Sequence, residues 1–593
     1  MRQDRPAPAV RALPSTPLRA RVRNVLRAVK RRTRQKRSVP AWSERAGDAT
    51  RMAADSGRVE ITVGTVGELR RLVSSHLTPD EATGFDLTIQ SWSRPWPDWV
   101  GRTPALTGLL RQKLSLPDGD GRVVLSWTFG RPVPVSRLLG AALMLLSPVR
   151  PLPGVLTADV LVDGPRPAWL PVDSAYAAES ARPDVGPLPA YDFVIRDETG
   201  GLVLVDVAGA NPRGRQETLL TVPHAELHMT AAESGYDWCL LRPGRAHVLV
   251  AGRAGQVLDE RQAAALAQVG SASLVGDPAP GELGATVLAQ LAMTGLVLHT
   301  PELPSDVRAR LHPELLGYFD TGLDGSDPFD REVHGVGQRR AAMRHHASAL
   351  RLREIVADRH PSVARPPSVS AVLVSRRPER AVAAAVALAA QTYAEFELVV
   401  GLHGIELTPE QTARLTSLPV PIRLASFPPE TGFGEVLAAT TRMASGSLLT
   451  KVDDDDHYGR EHIWDLVLAR LHSGAAVVGK GAEFVYLEPF DATVRRRMGS
   501  ELYSDVVAGG TMMISRGDLE EVGGWRPVAR SVDRALLDRV LAAGGLVYRT
   551  HGFGFLYTRH DDGHTWDPGI EYFLNDPARR WPGRPPHREF DAQ

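Results

Sequence analysis

The sequence predicts an α/β protein: a mostly parallel sheet flanked by helices in the carboxyl-terminal half, preceded by a separate mixed α/β domain and a basic amino-terminal tail. Three observations carry this. After Ser368, short β-rich runs alternate with helix-like ones; a polar, proline-bearing stretch, ADRHPSVARPPS (Ala357 to Ser368), marks the change of texture; and Lys and Arg crowd the first 45 residues. The text divides into a tail over 1–45, a mixed α/β domain over 46–350, a linker over 351–367, the α/β domain over 368–575 and a carboxyl-terminal tail over 576–593.

Composition bounds the classes available. The chain has 593 residues, 43% hydrophobic and 23% charged, too polar for a polytopic membrane protein and long enough for two or more domains. Lys+Arg and Asp+Glu both number 69, which argues against a surface devoted to nucleic acid. One cysteine, Cys239, excludes an intramolecular disulfide framework and a cysteine-based zinc site. The longest apolar run, LLGAALMLLSPV from Leu138 to Val149, is shorter than the roughly 18 residues a spanning helix needs. The start lacks a signal-peptide core, so a cytoplasmic protein is expected.

The tail holds 14 Lys/Arg against Asp4 and Glu44, a net +12. Leu18, Val22, Val25, Leu26 and Val29 fall at helical spacing among arginines, an apolar stripe on a cationic cylinder. Such a pattern over residues 18–37 suits the inner face of an anionic membrane. A disordered basic arm, or one drawn without sequence preference to nucleic acid, competes with it.

Residues 46–350 say little about function. YDFVIRDETGGLVLVDVAG reads as a hairpin, two β-branched runs flanking Glu198-Thr199-Gly200-Gly201. HAELH (His224 to His228) lacks the H-E-x-x-H order of metalloproteases and is read as chance spacing.

In the carboxyl-terminal half, SAVLVS (Ser370 to Ser375) reads as a buried strand, PERAVAAAVALAAQ as a helix with proline in its first turn, and FELVVG (Phe396 to Gly401) as the next strand. PIRLASF, GEVLAATTRMA and SLLTKVD repeat the alternation. Ligands of parallel sheets gather at the carboxyl ends of strands, and one such end is unusual: SLLTKV runs directly into Asp453-Asp454-Asp455-Asp456, then His457-Tyr458. Four adjacent carboxylates need either solvent or a cation. A site for a hard divalent ion with positions left for phosphate oxygens is one answer, and a solvated acidic turn the other.

Other nucleotide motifs fail. No G-x-G-x-x-G follows a strand, and Gly474 to Gly481, which nearly spells a P-loop, has Gly481 where the metal-holding Ser/Thr belongs and reads as a strand.

Six segments, SAVLVS, QTYAEFELVVG, ASGSLLTKVDDDDHYG, AGGTMMISRGDLEEVGGW, VDRALLDRVLAAGG and YTRHDDGHTW, occur in one order between residues 367 and 567. That third of the chain resembles a family 2 glycosyltransferase with the GT-A fold. The resemblance implies a metal-dependent, inverting transfer of a sugar from a nucleotide-sugar, UDP-sugar favoured, to a hydroxyl of a glycan or lipid-linked acceptor in bacterial cell-surface polysaccharide or glycoconjugate synthesis. Asp453 and Asp455 occupy the acidic places of the D-x-D motif. The donor-side residues implied are Ser375, His403, Asp453, Asp454, Gly509, Gly510, Thr511 and Trp566; the ligands of Mn or Mg are Asp455, Asp456 and His564, with His560 beside it. Asp533 is the general base.

Two departures stand out. Val532 replaces the first member of the acidic pair ahead of the base, and Gly401-Leu402-His403-Gly404 replaces the aspartate that ends the second strand in many relatives. They favour a rival in which the fold binds nucleotide-sugars, or scaffolds, without turnover. A further rival is a nucleic-acid-associated protein acting through the tail, though no specific nucleic acid is expected.

Overall fold

The computed structural model describes residues 265–321, 327–359, 366–542, 545–560 and 569–590, with separate segments between residues 51 and 262. The tail and its apolar stripe lie outside the described residues.

Two five-stranded sheets precede the carboxyl-terminal domain. In the first, Arg51–Asp55, Arg58–Val63, Glu81–Trp92, Gly121–Pro134 and Leu109–Ser115 lie side by side in that order. Val123, Leu125, Trp127 and Phe129 alternate inward from one strand, and helix Val135–Leu146 covers them. The second sheet, ordered Val248–Arg253, Gly235–Leu241, His224–Ala232, Ser271–Leu274 and Val297–His299, buries Ala225 and Leu227 while His224 stays exposed. HAELH is therefore one strand with its histidines on the outer face.

The hairpin expected around Glu198 to Gly201 is corrected. Phe193–Asp197 pairs with Ala158–Val162 and Trp169–Pro171, whereas Val205 bridges Ala347 and exchanges backbone hydrogen bonds with His346 and Ser348. The second run alternates Val203, Val205 and Val207 into the core beneath the second sheet, a larger apolar surface than a two-stranded ribbon could offer.

Helix α1 (Pro328–His346) ties this region to the carboxyl-terminal domain. Gln338 accepts from the Leu298 amide and donates to the Leu296 carbonyl on one side. On the other, Arg340 reaches Asp465 at 2.8 Å and Glu589 at 3.1 Å, with all three side chains at most 5% exposed. Buried charges persist only when paired in this way. Helix Ser348–Arg359 then runs into the stretch expected to be linker. Of residues 576–593, expected as a tail, the described part through Phe590 contributes strand Arg579–Pro582 and the buried Glu589 and Phe590.

The carboxyl-terminal domain contains strands β1 (Val369–Ser375), β2 (Phe396–His403), β3 (Ile422–Phe427), β4 (Leu448–Val452), β5 (Val477–Lys480), β6 (Leu502–Tyr503), β7 (Met513–Ser515) and β8 (Val547–Thr550), in the sheet order β3-β2-β1-β4-β7-β5-β8-β6. Its helices include α2 (Pro378–Leu388), α3 (Phe433–Arg442), α4 (His462–Ser473) and α5 (Val532–Ala542). Every residue of β2 and β4 is buried, as strands covered on both faces require.

β3, β2, β1 and β4 are parallel, as the alternation predicts. The sheet as a whole is mixed: β7 runs antiparallel to β4 and β5, and β6 antiparallel to β8. The helix-like text that signals a parallel crossover is missing between Gly481 and Ser515, which instead holds short strands. The chain builds β1 to β3 outward and then returns to place β4 on the other side of β1. That reversal opens a crevice at the carboxyl ends of β1 and β4.

Candidate active site

The acidic run begins where β4 leaves this crevice. Lys451 is the last polar residue of the strand, only 4% exposed, and its ammonium donates to Asp453 Oδ1 at 2.6 Å and lies 3.5 Å from Asp533 Oδ1. Burial opposes its charge, but Asp453 and Asp533 outweigh it and hold the ammonium well above its ordinary value. The Asp453 amide donates to the Tyr458 hydroxyl at 2.8 Å, which donates to the Gly510 carbonyl at 2.9 Å. The acidic turn is thereby folded back on the Gly509–Thr511 turn.

The four carboxylates have different surroundings. Asp454 is bonded by the Ser375 hydroxyl and by the Arg377 fork, joining the ends of β1 and β4. Asp455 accepts from the same Arg377 at 2.9 Å and has Arg380 at 3.9 Å. Asp456 accepts the Thr558 amide at 2.9 Å; burial first, then Asp453 and Asp455, push it well above the usual carboxylate range. The run supplies carboxylate oxygens, the donor type a hard divalent ion takes, but among the described residues no three of its acidic groups bring ligand atoms within 4.8 Å of one another, and Arg377 engages Asp454 and Asp455.

Asp533 is the second residue of α5, not the residue preceding the helix. Its Oδ1 is buried, facing the Lys451 ammonium at 3.5 Å without a hydrogen bond among the described residues, while the side chain as a whole is 31% exposed. A Cβ on Gly509 would stand 2.1 Å from Asp533 Oδ2, and one on Gly510 2.7 Å from Asp453 Oδ2. Only glycines let both carboxylates close over this turn. Thr511 is a staple: its hydroxyl accepts from the Lys480 amide at 2.9 Å and is fully buried. Val532 is buried in the core. Lys480, from the near P-loop, lies in strand β5 and pairs with Asp465.

His403 ends β2, buried, with Arg376 donating to its Nδ1 at 3.1 Å; burial first, then Arg376, lowers its basicity. His560 has both ring nitrogens engaged, Nε2 by Arg380 at 2.7 Å and Nδ1 by Glu488. His564 and Trp566 lie outside the described residues. Sequence reasoning passed over Lys451, Arg377, Arg380 and Tyr458. The arginines of SRRPER, directly after a strand, were the legible signal, since an acidic strand end needs cations beside it.

Among the described residues one His/Glu trio, His312, Glu314 and His345, brings ligand atoms within 4.8 Å of one another. Its imidazoles stack at 3.4 Å and 9°, so their in-plane lone pairs run side by side instead of converging. His312 Nδ1 caps a helix by accepting the Glu314 amide. The trio is accounted for as a cap with an ion pair.

No family model matches the chain, and no curated protein matches it. Similar solved structures include the mannosyltransferase PcManGT from Pyrobaculum calidifontis in complex with GDP-Man and Mn2+, at TM-score 0.26 and 14% identity over 34% of this chain and 59% of that one. S. aureus TarS 1-349 in complex with UDP-GlcNAc gives TM-score 0.27 and 14% identity over 35% and 63%. The same segment with UDP gives 0.25 and 13% over 32% and 60%. The chain spans about three-fifths of the length of each of these structures.

Proposed function

We propose that this chain is a metal-dependent inverting glycosyltransferase that moves a sugar from a nucleotide-sugar to an acceptor hydroxyl. The observation that carries the reading is the Lys451 ammonium, 2.6 Å from Asp453 and 3.5 Å from Asp533, which joins a strand-end carboxylate suited to a donor with a carboxylate suited to a base. The Asp533 carboxylate takes the proton of the acceptor hydroxyl; the hydroxyl oxygen bonds to the anomeric carbon as the bond from that carbon to the diphosphate oxygen breaks on the opposite face. Asp455 and Asp456, with His564, would hold Mn or Mg, which when bound offsets charge on the departing diphosphate. Asp453, Asp454, Ser375, His403, Gly509, Gly510 and Trp566 border the donor. A glycan or lipid-linked acceptor at the inner face of a bacterial membrane, approached through residues 18–37, completes the proposal by analogy.

The test is a screen of radiolabelled nucleotide-sugars with and without Mn on the parent, Asp455→Asn and Asp533→Asn. Metal-dependent transfer lost in both variants is expected, and full retention in either overturns that residue's role. The buried Val532, where the resemblance expects a carboxylate, favours a second reading, a nucleotide-sugar-binding protein without turnover. Saturable binding with no transfer or hydrolysis of any donor would establish it.

A further inference from the structure

The acidic motif repels phosphate as strongly as it attracts cations, so a donor diphosphate at this strand end needs positive charge aimed at it. Two arginines following β1 are candidates, and their surroundings differ. Arg377 has its fork on Asp454 and a further contact to Asp455 at 2.9 Å. Its donors are already engaged in joining β1 to β4.

Among the described residues Arg380, in the first turn of α2, has no such partner: its nearest carboxylate there is Asp455 at 3.9 Å, its side chain is 34% exposed, and its one hydrogen bond runs from Nη1 to His560 Nε2 at 2.7 Å. A guanidinium can only donate, so Nε2 accepts; a carboxylate can only accept, so His560 Nδ1 donates to Glu488 Oε2. Glu488, His560 and Arg380 thus form a chain that orients a planar cation at the carboxyl edge of the sheet. It also engages the Nε2 lone pair that a metal ion would need.

We infer that Arg380 binds the diphosphate of a nucleoside diphosphate or its sugar, and that His560 and Glu488 are positioning residues for Arg380, not metal ligands. The inference rests on the proposed transfer reaction for its donor. A guanidinium fork matches two phosphate oxygens, which an ammonium cannot do.

The experiment titrates the full chain, Arg380→Gln, Arg380→Lys, His560→Gln and Glu488→Gln with inorganic pyrophosphate, UDP and GDP by calorimetry, and with Mn alone by electron paramagnetic resonance. Arg380→Gln is expected to weaken diphosphate binding roughly 10- to 100-fold, the worth of a charge-assisted hydrogen-bond pair. Arg380→Lys should recover part of this, and His560→Gln and Glu488→Gln should fall between it and the parent. Mn affinity without nucleotide should be the same in the parent, His560→Gln and Glu488→Gln, and should not fall in Arg380→Gln, which removes a cation 3.9 Å from Asp455. In transfer assays the donor KM should rise while the acceptor KM holds.

A fall in Mn affinity in His560→Gln overturns the positioning role. Unchanged diphosphate affinity in Arg380→Gln, with transfer intact in the parent, overturns the inference and leaves the proposed function standing. A parent that binds no diphosphate overturns both.

Discussion

Arg340 and Asp465 meet in a buried two-point contact, Nε to Oδ1 at 2.8 Å and Nη2 to Oδ2 at 3.3 Å. Arg340 lies on α1, from the region preceding the carboxyl-terminal domain, and Asp465 on α4, which comes shortly after the acidic motif. The pair therefore fastens the helix behind the candidate site to a helix outside the sheet that forms it. Lys480 and His551 share the Asp465 carboxylate, at 2.8 and 3.5 Å.

Removing one side of that contact leaves carboxylates buried with reduced compensation. Arg340→Ala is expected to destabilise the chain by about 3 kcal/mol or more, measured by urea unfolding. Asp533→Asn removes one of the two carboxylates that compensate the buried Lys451 ammonium and should cost less than Arg340→Ala, about 1–2 kcal/mol, because Asp453 remains and the Asp533 side chain is partly exposed.

The turn under the two carboxylates tolerates no side chain. Gly509→Ala should displace Asp533 and lower kcat by at least roughly tenfold, more than it weakens donor binding, because a 1 Å misplacement of a reacting group has effects of that size or larger. Gly510→Ala presses on Asp453 and the Tyr458 hydroxyl and should instead weaken donor binding. Steady-state kinetics separate the two.

Thr511 offers a contrast between structural and donor-binding roles. Thr511→Val leaves the Lys480 amide buried without its acceptor and should lower stability by about 1–3 kcal/mol, while Thr511→Ser retains the bond. Donor preference measured across nucleotide-sugars should be the same in all three proteins.

Acid should destabilise the fold at pH values above the ordinary carboxylate range, through its buried histidines. Burial, the largest cause for each, lowers His334 and His346 to about 4. The unfolded chain takes up protons near the ordinary histidine value, which the folded chain refuses, so this stability is complete above about pH 6.5 and is lost as pH falls toward 4. Thermal melts from pH 7.5 to 4.5 should show the decline, and His346→Gln should flatten it. A pH-independent melting temperature over that range would rule the mechanism out.

The amino-acid sequence by itself determined the strand and helix alternation through β4 and the site of the acidic run, because hydrophobic period and the abrupt end of an apolar strand are local properties. It also carried the glycines of the Gly509–Thr511 turn, though not the reason for them. Only the tertiary structure decided that Lys451 joins Asp453 to Asp533, that Thr511 serves the backbone, that β7 enters antiparallel, that Val205 leaves its hairpin for Ala347, and that Arg380 is held by His560. Each of these depends on which strand ends and buried charges become neighbours across tens to hundreds of residues. That choice is made by charge compensation and shared apolar surface, neither of which has a period along the chain.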